Sequence, residues 1–554
     1  LVHSRFDRGY SDLHEHIDAL RKAGLLLEID REINKDTEMH PLVRWQFRGS
    51  MPEEDRKAWL FTNVVDTKGR KYDIPVLVCG LAGNRAIYQI GMGCAIDDIE
   101  ATWIKAMNHP IAPTIVSSEE APCHELVFAG DDLLHGHGID ALPVPISTPG
   151  WDNAPYTSSS HFITKDPHDG VQNSGNYRGQ FKAPNRLGMN PSVEHHTGGY
   201  LHWVAWKKLG KKMPCAVVVG CPPIVSFTAV QKLPVGMDEF HVLGGLVGAP
   251  LHVVKAKTVD LLVPAEAEVV IEGYVDTEYL EPEAPFGESH GHVNLQEYNA
   301  YMDVTCITRR KNAIITSWVS QVTPSESGMI KRPAYEAKLL KHLRDNLGIQ
   351  GLIGGSTHEP LTSLHKLIIV IVERNASHTE IWRAMYGVAS HRMAEGKWIV
   401  AVNEDIDPDD TNALFWAMSY GCKPHRDVEI LKHKHEGHGP RSMIDSEDSA
   451  VLIDATLKEN FPPISLPKKE YMEHAKKIWE ELGLPKLKPE APWYGYDLGE
   501  WNDDLEHMAQ LAVNSDYWET GKVIAQLRRN DVEMNTEIRT LKDYPRSQKG
   551  NQSE

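Results

Sequence analysis

Between two glutamates the chain reads Glu283-Ala284-Pro285-Phe286-Gly287-Glu288, and Ser289-His290-Gly291 follow. Five positions apart on a straight strand would put the two carboxylates on opposite faces. A Pro-Phe-Gly bend lifts that restriction and can turn both acids to one site. Two carboxyl groups in unlike environments titrate apart, so that one stays ionised while the other carries a proton. The chemistry on offer is acid/base work by a carboxyl pair. A solvated acidic turn is the plain alternative.

A second group lies upstream. Asn173-Ser174-Gly175-Asn176-Tyr177-Arg178 is followed by His195 and His196, then Gly198-Gly199, and later by Glu239 ahead of a glycine-rich run at 244–248. An amide oxygen, an imidazole and a carboxylate form a mixed O/N set that suits Mn²⁺ or Mg²⁺ better than a soft metal. Three protein ligands leave positions for water or phosphate oxygens, the usual way a divalent ion ties a phosphorylated cofactor to a protein. From spacing alone, other readings stay open: Asn173 as a turn residue, His196 as a packed or surface histidine, Glu239 as a helix-start charge. His433, His435 and His438 have ligand-like spacing, but their Lys- and Gly-rich setting reads as an exposed loop.

These residues need elements to position them. At 554 residues, 41% hydrophobic and 24% charged, the chain is an ordinary globular protein of two or three domains. A formal charge of -19 argues against a general nucleic-acid surface. No apolar run reaches membrane-span length, the segment around Arg5, Asp7 and Arg8 lacks a signal-peptide core, and the seven cysteines form no CxxC; a cytoplasmic protein is expected. Residues 11–30 read as an amphipathic helix with Leu13, Ile17, Leu20 and 25–27 on its apolar side. A strand at 75–79 and a helix near 97–108 complete a small α/β domain over 1–125. From 126 to 325 short β-rich runs, at 215–220, 251–257, 268–275, 301–308 and 314–319, predict an antiparallel sheet or barrel with few long helices. Residues 326–486 read as α/β: a helix near 333–346, then a strand at 367–373, a helix at 378–394 and a strand at 398–403 in a βαβ pattern of buried parallel strands. A helix over 468–482 closes this part. The remainder, 487–554, is an extension with one amphipathic helix near 503–530 and a disordered end.

With these motifs in order, the chain resembles the UbiD family of decarboxylases, which use prenylated FMN. The resemblance covers about residues 10–485. It rests on Asn173-x4-Arg178, His196-x-Gly-Gly199, Glu239 with the glycine-rich run, Glu283-x-Pro-Phe-Gly-Glu288, and Lys397-x5-Asn403-Glu-Asp-Ile-Asp-Pro408. It implies a UbiD-like α/β (α+β) fold: an N-terminal α/β domain, a central β-rich split-barrel flavin-binding domain, and a C-terminal α/β oligomerisation domain with a C-terminal helix. By the same resemblance Asn173, His196 and Glu239 hold a divalent metal, Mn²⁺ or Mg²⁺, at the flavin phosphate. A K⁺ ion sits near that phosphate by the 228–239 loop, with Glu239 a candidate ligand. Lys397 contacts the phosphate, and Ser174, Gly175, Asn176, Tyr177 and His195 line the cofactor. Arg178, Glu283 and Glu288 are the catalytic set, with Arg178 holding the substrate carboxylate or tuning the flavin, Glu283 orienting Arg178, and Glu288 donating the proton that replaces CO2. His290 and His292 orient the site or simply pack. The implied reaction is reversible, non-oxidative decarboxylation of an unsaturated or aromatic acid through a covalent adduct with prenylated FMN. A flavin prenyltransferase supplies the cofactor, and a homo-dimer or homo-hexamer is expected.

Two departures bear on substrate. Ferulate-type members carry a Trp between the positions of Asn173 and Arg178, where this chain has Ser-Gly-Asn-Tyr. The C-terminal extension adds Trp493, Tyr494, Tyr496 and Trp501, which could pack on another subunit or shape the substrate entrance. Hydroxybenzoate-type, phthalate-type and heteroaromatic acids, and aromatic acids carried as CoA thioesters, all remain candidates. Readings from other classes are a non-catalytic subunit of a carboxylase assembly and a flavin-independent, metal-dependent hydrolase or decarboxylase. The complete Arg178, Glu283, Glu288 set argues against the first.

Overall fold

The computed structural model describes residues 8–191, 197–233, 236–358, 365–392, 395–437, 447–458, 461–488 and 498–526. The chain divides into two compact units, residues 1–401 with 423–454, and residues 402–422 with 455–554.

The first unit begins with the helix Leu13–Lys22. Asp12 caps it, accepting from the Glu15 amide while the Glu15 carboxylate reaches back to the Asp12 amide. The helix is shorter than the 11–30 expected from periodicity. Gly24 turns the chain at φ +70°, and Leu26–Ile29 continues as a strand. Glycine adopts that left-handed conformation without the Cβ clash other residues meet. Leu13, Ile17 and Leu20 pack on Leu60, Leu77, Ile87 and Ile314. The strands Leu26–Ile29, Ala58–Phe61, Val76–Val78 and Ile315–Ser317 form one sheet in that order. Its last strand comes from the end of the segment read as the central domain. In exchange Thr114–Ile115 pairs with His252–Lys255, so the boundary at 125/126 is crossed by strands in both directions.

The central sheet has ten strands. Its hub is the long strand Glu297–Arg309, which pairs antiparallel with Val269–Val275, Arg186–Met189, Glu281–Glu283 and Leu126–Ala129. Met213–Val219 is buried at all seven positions, as a strand covered on both faces must be. Three helices, Gly198–Lys208, Pro223–Ala229 and Glu239–Val247, lie within this region, more than the expected pattern allowed. The glycine-rich run begins inside the third of them. A Cβ on Gly244 would fall 2.4 Å from the Ile111 carbonyl and one on Gly245 2.8 Å from that of Ala106. These glycines therefore serve close helix packing.

The next sheet runs Leu352–Thr357, Leu367–Val372, Trp398–Asn403, Glu447–Asp454, Val428–His435. It is mixed rather than wholly parallel: both of its edge pairings are antiparallel. The edge strand Val428–His435 occupies what was read as a loop, with His433 paired to Glu447 in solvent. His438 lies outside the described residues. The preceding helix spans Glu326–Lys341, starting earlier than expected because Ser325 caps it and Pro333 is tolerated inside. In the second unit the helices are Thr411–Gly421, Lys469–Glu481, Asp503–Val513 and Tyr517–Gln526. The single helix expected near 503–530 is broken at Ser515, which takes φ +66°. Trp493, Tyr494, Tyr496 and the end of the chain lie outside the described residues. Among the described residues no helix is long and apolar enough to cross a membrane.

Candidate active site

The strand Gln172–Asn176 pairs antiparallel with Ser160–Lys165 and carries Asn173 near its start. Arg178 lies two residues beyond its end, where it bridges to Asn190. One extended segment thus presents side chains to two groups of partners.

At Arg178 the two acids converge. The guanidinium donates from Nε to Glu283 Oε1 at 2.8 Å and from Nη2 to Glu283 Oε2 at 2.7 Å, a two-point pairing that matches fork to carboxylate. Its Nη1 donates to Glu288 Oε1. The chain makes this possible by leaving the strand Glu281–Glu283 at Ala284, with φ +75°, and resuming at Phe286–Gly287. Five positions separate the acids, yet both meet one cation. Phe286 lies beneath the guanidinium, 5.0 Å from centroid to Cζ. The second oxygen of each acid is also occupied. Asn299 donates to Glu283 Oε2 at 3.2 Å, and the Ser289 amide donates to Glu288 Oε2 at 2.8 Å. The side chains of Arg178 and Glu283 are 7% and 1% exposed, that of Glu288 12%. Burial alone would pull the Arg178 pKa down; Glu288 and Glu283 outweigh it and hold the guanidinium above its usual range.

At Asn173 the partners are Glu239 and the first turn of the helix Gly198–Lys208. Glu239 is buried, and its Oε2 accepts from the Ser174 amide at 2.9 Å. Burial pushes its pKa up to about 8, against the opposing pull of that amide. A Cβ on Gly198 would fall 1.9 Å from Asn173 Oδ1, so only glycine lets the helix start approach this amide. Tyr177 closes the group, its hydroxyl accepting from the Gly199 amide at 3.1 Å. Asn173 Nδ2, Ser174 Oγ and Asn176 Oδ1 are buried with no hydrogen-bond partner among the described residues. Buried polar atoms of this kind are open to a water, an ion or a ligand. A cleft of about 540 Å³ opens nearby along the chain, lined by Asp169, Gly170, Val171, Met237, Asp238 and His241 among others.

Of the residues predicted from sequence, the structure joins Arg178, Glu283 and Glu288 in one group and Asn173, Ser174, Tyr177 and Glu239 in another. His195 and His196 lie outside the described residues. Lys397, its side chain 46% exposed, pairs with Asp448 at 2.8 Å beside the five-stranded sheet. His290 turns to Asn294, 3.0 Å from Nε2 to Oδ1. Among the described residues no three His, Cys, Asp or Glu side chains are grouped to hold a metal ion. Asn299 was missed. Its signal was available only after the pairing of Glu281–Glu283 with the long strand was known.

The chain matches two family models, the Rift-related domain of 3-octaprenyl-4-hydroxybenzoate carboxy-lyase over residues 114–322 and the C-terminal domain of that enzyme over residues 329–455. Among solved structures it is similar to the UbiD-class enzyme HmfF from Pelotomaculum thermopropionicum in complex with FMN. The two are 25% identical, with a TM-score of 0.74, over 84% of this chain and 100% of that one. An evolved dimeric form of HmfF in complex with prFMN matches at 26% identity and a TM-score of 0.70, over 82% and 97% of the two chains. The closed form of vanillic acid decarboxylase from Sedimentibacter hydroxybenzoicus shares the fold, at 22% identity and a TM-score of 0.73, over 85% and 99%.

Proposed function

Because this chain belongs to the UbiD family of carboxy-lyases, we propose that it interconverts an unsaturated or aromatic carboxylic acid with its decarboxylated product and CO2, using prenylated FMN. The observation that carries the reading is the buried Arg178 shared between Glu283 and Glu288. One guanidinium fork and two carboxyl groups, five positions apart in the chain, are thereby gathered at one buried place, as acid/base chemistry on a carboxylic acid requires.

The residues at Asn173 fit the phosphate end of such a cofactor. Asn173 and Glu239, with His196, would hold Mn²⁺ or Mg²⁺ there, and a K⁺ ion would neutralise further charge beside the 228–239 loop. The Asn173, Ser174 and Asn176 atoms that lack partners among the described residues, and a carboxyl whose burial resists ionisation, support this fit. A divalent cation would draw Glu239 into its ionised form. When bound, prenylated FMN supplies the electron sink that a vinyl or aryl carbon lacks.

The protein groups then have separate tasks. Arg178 orients the substrate carboxylate and offsets its charge. Glu283, accepting from Arg178 at two points and from Asn299, fixes the guanidinium plane. Glu288 is the proton donor to the carbon that loses CO2. In the arrangement described here both of its oxygens accept hydrogen bonds. Release from Arg178 as substrate engages the guanidinium would favour its neutral, proton-donating form, since loss of a neighbouring cation favours the neutral acid.

The test is co-production with a flavin prenyltransferase, followed by a screen of aromatic, heteroaromatic and acrylic acids for CO2 release and for deuterium uptake by the products in D2O. Flavin-dependent CO2 release is the expected result. Full flavin loading with neither CO2 release nor exchange on any acid would favour a non-catalytic subunit. Metal-dependent turnover without flavin would overturn the proposal.

A further inference from the structure

The backbone between the two acids is held from outside by one short segment, residues 148–156. Asp152 Oδ1 accepts from the Gly287 amide at 2.7 Å. The Asn153 side-chain amide donates to the Ala284 carbonyl at 2.8 Å, and the Asn153 backbone amide to the Pro285 carbonyl at 3.2 Å. The Tyr156 hydroxyl accepts from the Ala284 amide at 3.1 Å and donates to Asn153 Oδ1 at 3.0 Å. Its ring packs on Phe286 with centroids 4.4 Å apart, and Phe286 in turn lies under Arg178. Gln180 donates to the same Asn153 oxygen at 2.8 Å, which ties the segment to the strand beyond Arg178. The fit is close: a Cβ on Gly287 would fall 2.2 Å from Thr148 Oγ1.

Four backbone polar groups of the bend are therefore satisfied by three residues, Asp152, Asn153 and Tyr156. None of them is hydrogen-bonded to Arg178, Glu283 or Glu288. A bend holding Ala284 at φ +75° would relax if these bonds were lost, because a non-glycine residue is strained there. Relaxation would move Glu288 relative to Glu283, since the bend is the stretch of backbone that joins them. A proton donor displaced by about 1 Å loses much of its rate.

We propose that Asn153 and Tyr156 are positioning residues that set the spacing of Glu283 and Glu288 about Arg178. This rests on the decarboxylase reading only for its kinetic consequence. The structural claim stands apart from it.

The test uses Tyr156→Phe, which keeps the ring on Phe286 but removes the hydroxyl, and Asn153→Asp, which keeps an acceptor for Tyr156 and Gln180 but removes the donor to Ala284. Crystal structures of wild type and both variants come first. The expected result is that Arg178 keeps its two contacts to Glu283 while its contact to Glu288 is lost or lengthened. Flavin-loaded enzyme is then assayed. The expected result is a fall in kcat of about tenfold or more per loaded site at unchanged KM, with an altered pH profile of kcat. Deuterium exchange should fall in parallel. A merely structural role would lower thermal stability and leave kcat per loaded site and its pH profile alone. An undisturbed Arg178, Glu283, Glu288 arrangement in both variants overturns the inference, as does unchanged kcat with an unchanged pH profile. Inactive wild type with a displaced Glu288 in the variants would instead overturn the decarboxylase reading and support the positioning role.

Discussion

Arg178→Ala removes the one cation that both site acids share. Three hydrogen bonds are lost, two to Glu283 at 2.8 and 2.7 Å and one to Glu288. Hydrogen bonds to charged groups contribute about 1.5–3 kcal/mol each. The larger effect is what remains: two carboxyl side chains, 1% and 12% exposed, that have lost the guanidinium they share. Breaking a buried ion pair from one side costs about 3–5 kcal/mol. Expressed fully in the transition state, that is roughly 10²- to 10³-fold or more in kcat/KM, at about 1.4 kcal/mol per factor of ten. The same loss should appear in stability, as a lower melting temperature of the variant at neutral pH. Arg178→Lys restores charge without the fork and should recover stability more than turnover. The assay is CO2 release per mole of bound flavin, beside melting curves at neutral pH. Variant protein with wild-type flavin content and kcat/KM within about threefold of wild type would refute the role given to Arg178.

Three further outcomes are expected. Glu288→Gln should retain flavin and metal but lose product deuterium exchange, whereas Glu283→Asp should keep partial turnover; exchange at the wild-type rate in loaded Glu288→Gln would assign the proton to another group. Glu239, with its pKa raised from 4.5 to about 8 by burial, binds a proton more tightly folded than unfolded, so metal-free protein should lose stability as pH rises through that interval. Saturating Mn²⁺ should abolish that loss, and Glu239→Gln should remove both the pH dependence and the Mn²⁺ effect in melting curves. Gly198→Ala places a Cβ 1.9 Å from Asn173 Oδ1; it should cut Mn²⁺ affinity, read by calorimetry, while far-UV circular dichroism stays that of wild type.

What could be read from sequence was local. The Pro-Phe-Gly bend announced itself by composition, and Arg178, Glu283 and Glu288 are the residues that meet. Asn173 and Glu239 also meet, through the Ser174 amide. What could not be read was partnership across the chain. Trp151, Asp152, Asn153 and Pro155 spell a turn, but nothing in that turn says that its side chains serve residues 284–287. Helix limits failed where one residue overrode periodicity: Gly24 ended the first helix early, and Ser515 split the last one. The helices at 223–229 and 239–247 were obscured because they are apolar on most sides, which blurs the periodic signal. The strand Val428–His435 carries Lys and His along a sheet edge, where charge guards against unwanted pairing, and its composition therefore imitates a loop.

The strand exchange at the start of the chain bears on how the protein comes to be folded at all. Val76–Val78 pairs with Ile315–Ser317, so the N-terminal sheet stays one strand short until most of the central sheet has been synthesised. In the other direction, His252–Lys255 waits for nothing, because Thr114–Ile115 has already emerged. A ribosome-bound chain therefore exposes the Val76–Val78 edge for a long interval, and an unpaired edge is where association with other chains begins. Closure of so distant a contact is slow by its topology. The practical corollary concerns dissection: a fragment ending near residue 125 keeps an open apolar edge, and a fragment beginning there lacks the strand that Ile315–Ser317 joins. Residues 26–317 are the shortest stretch that holds every strand of both sheets.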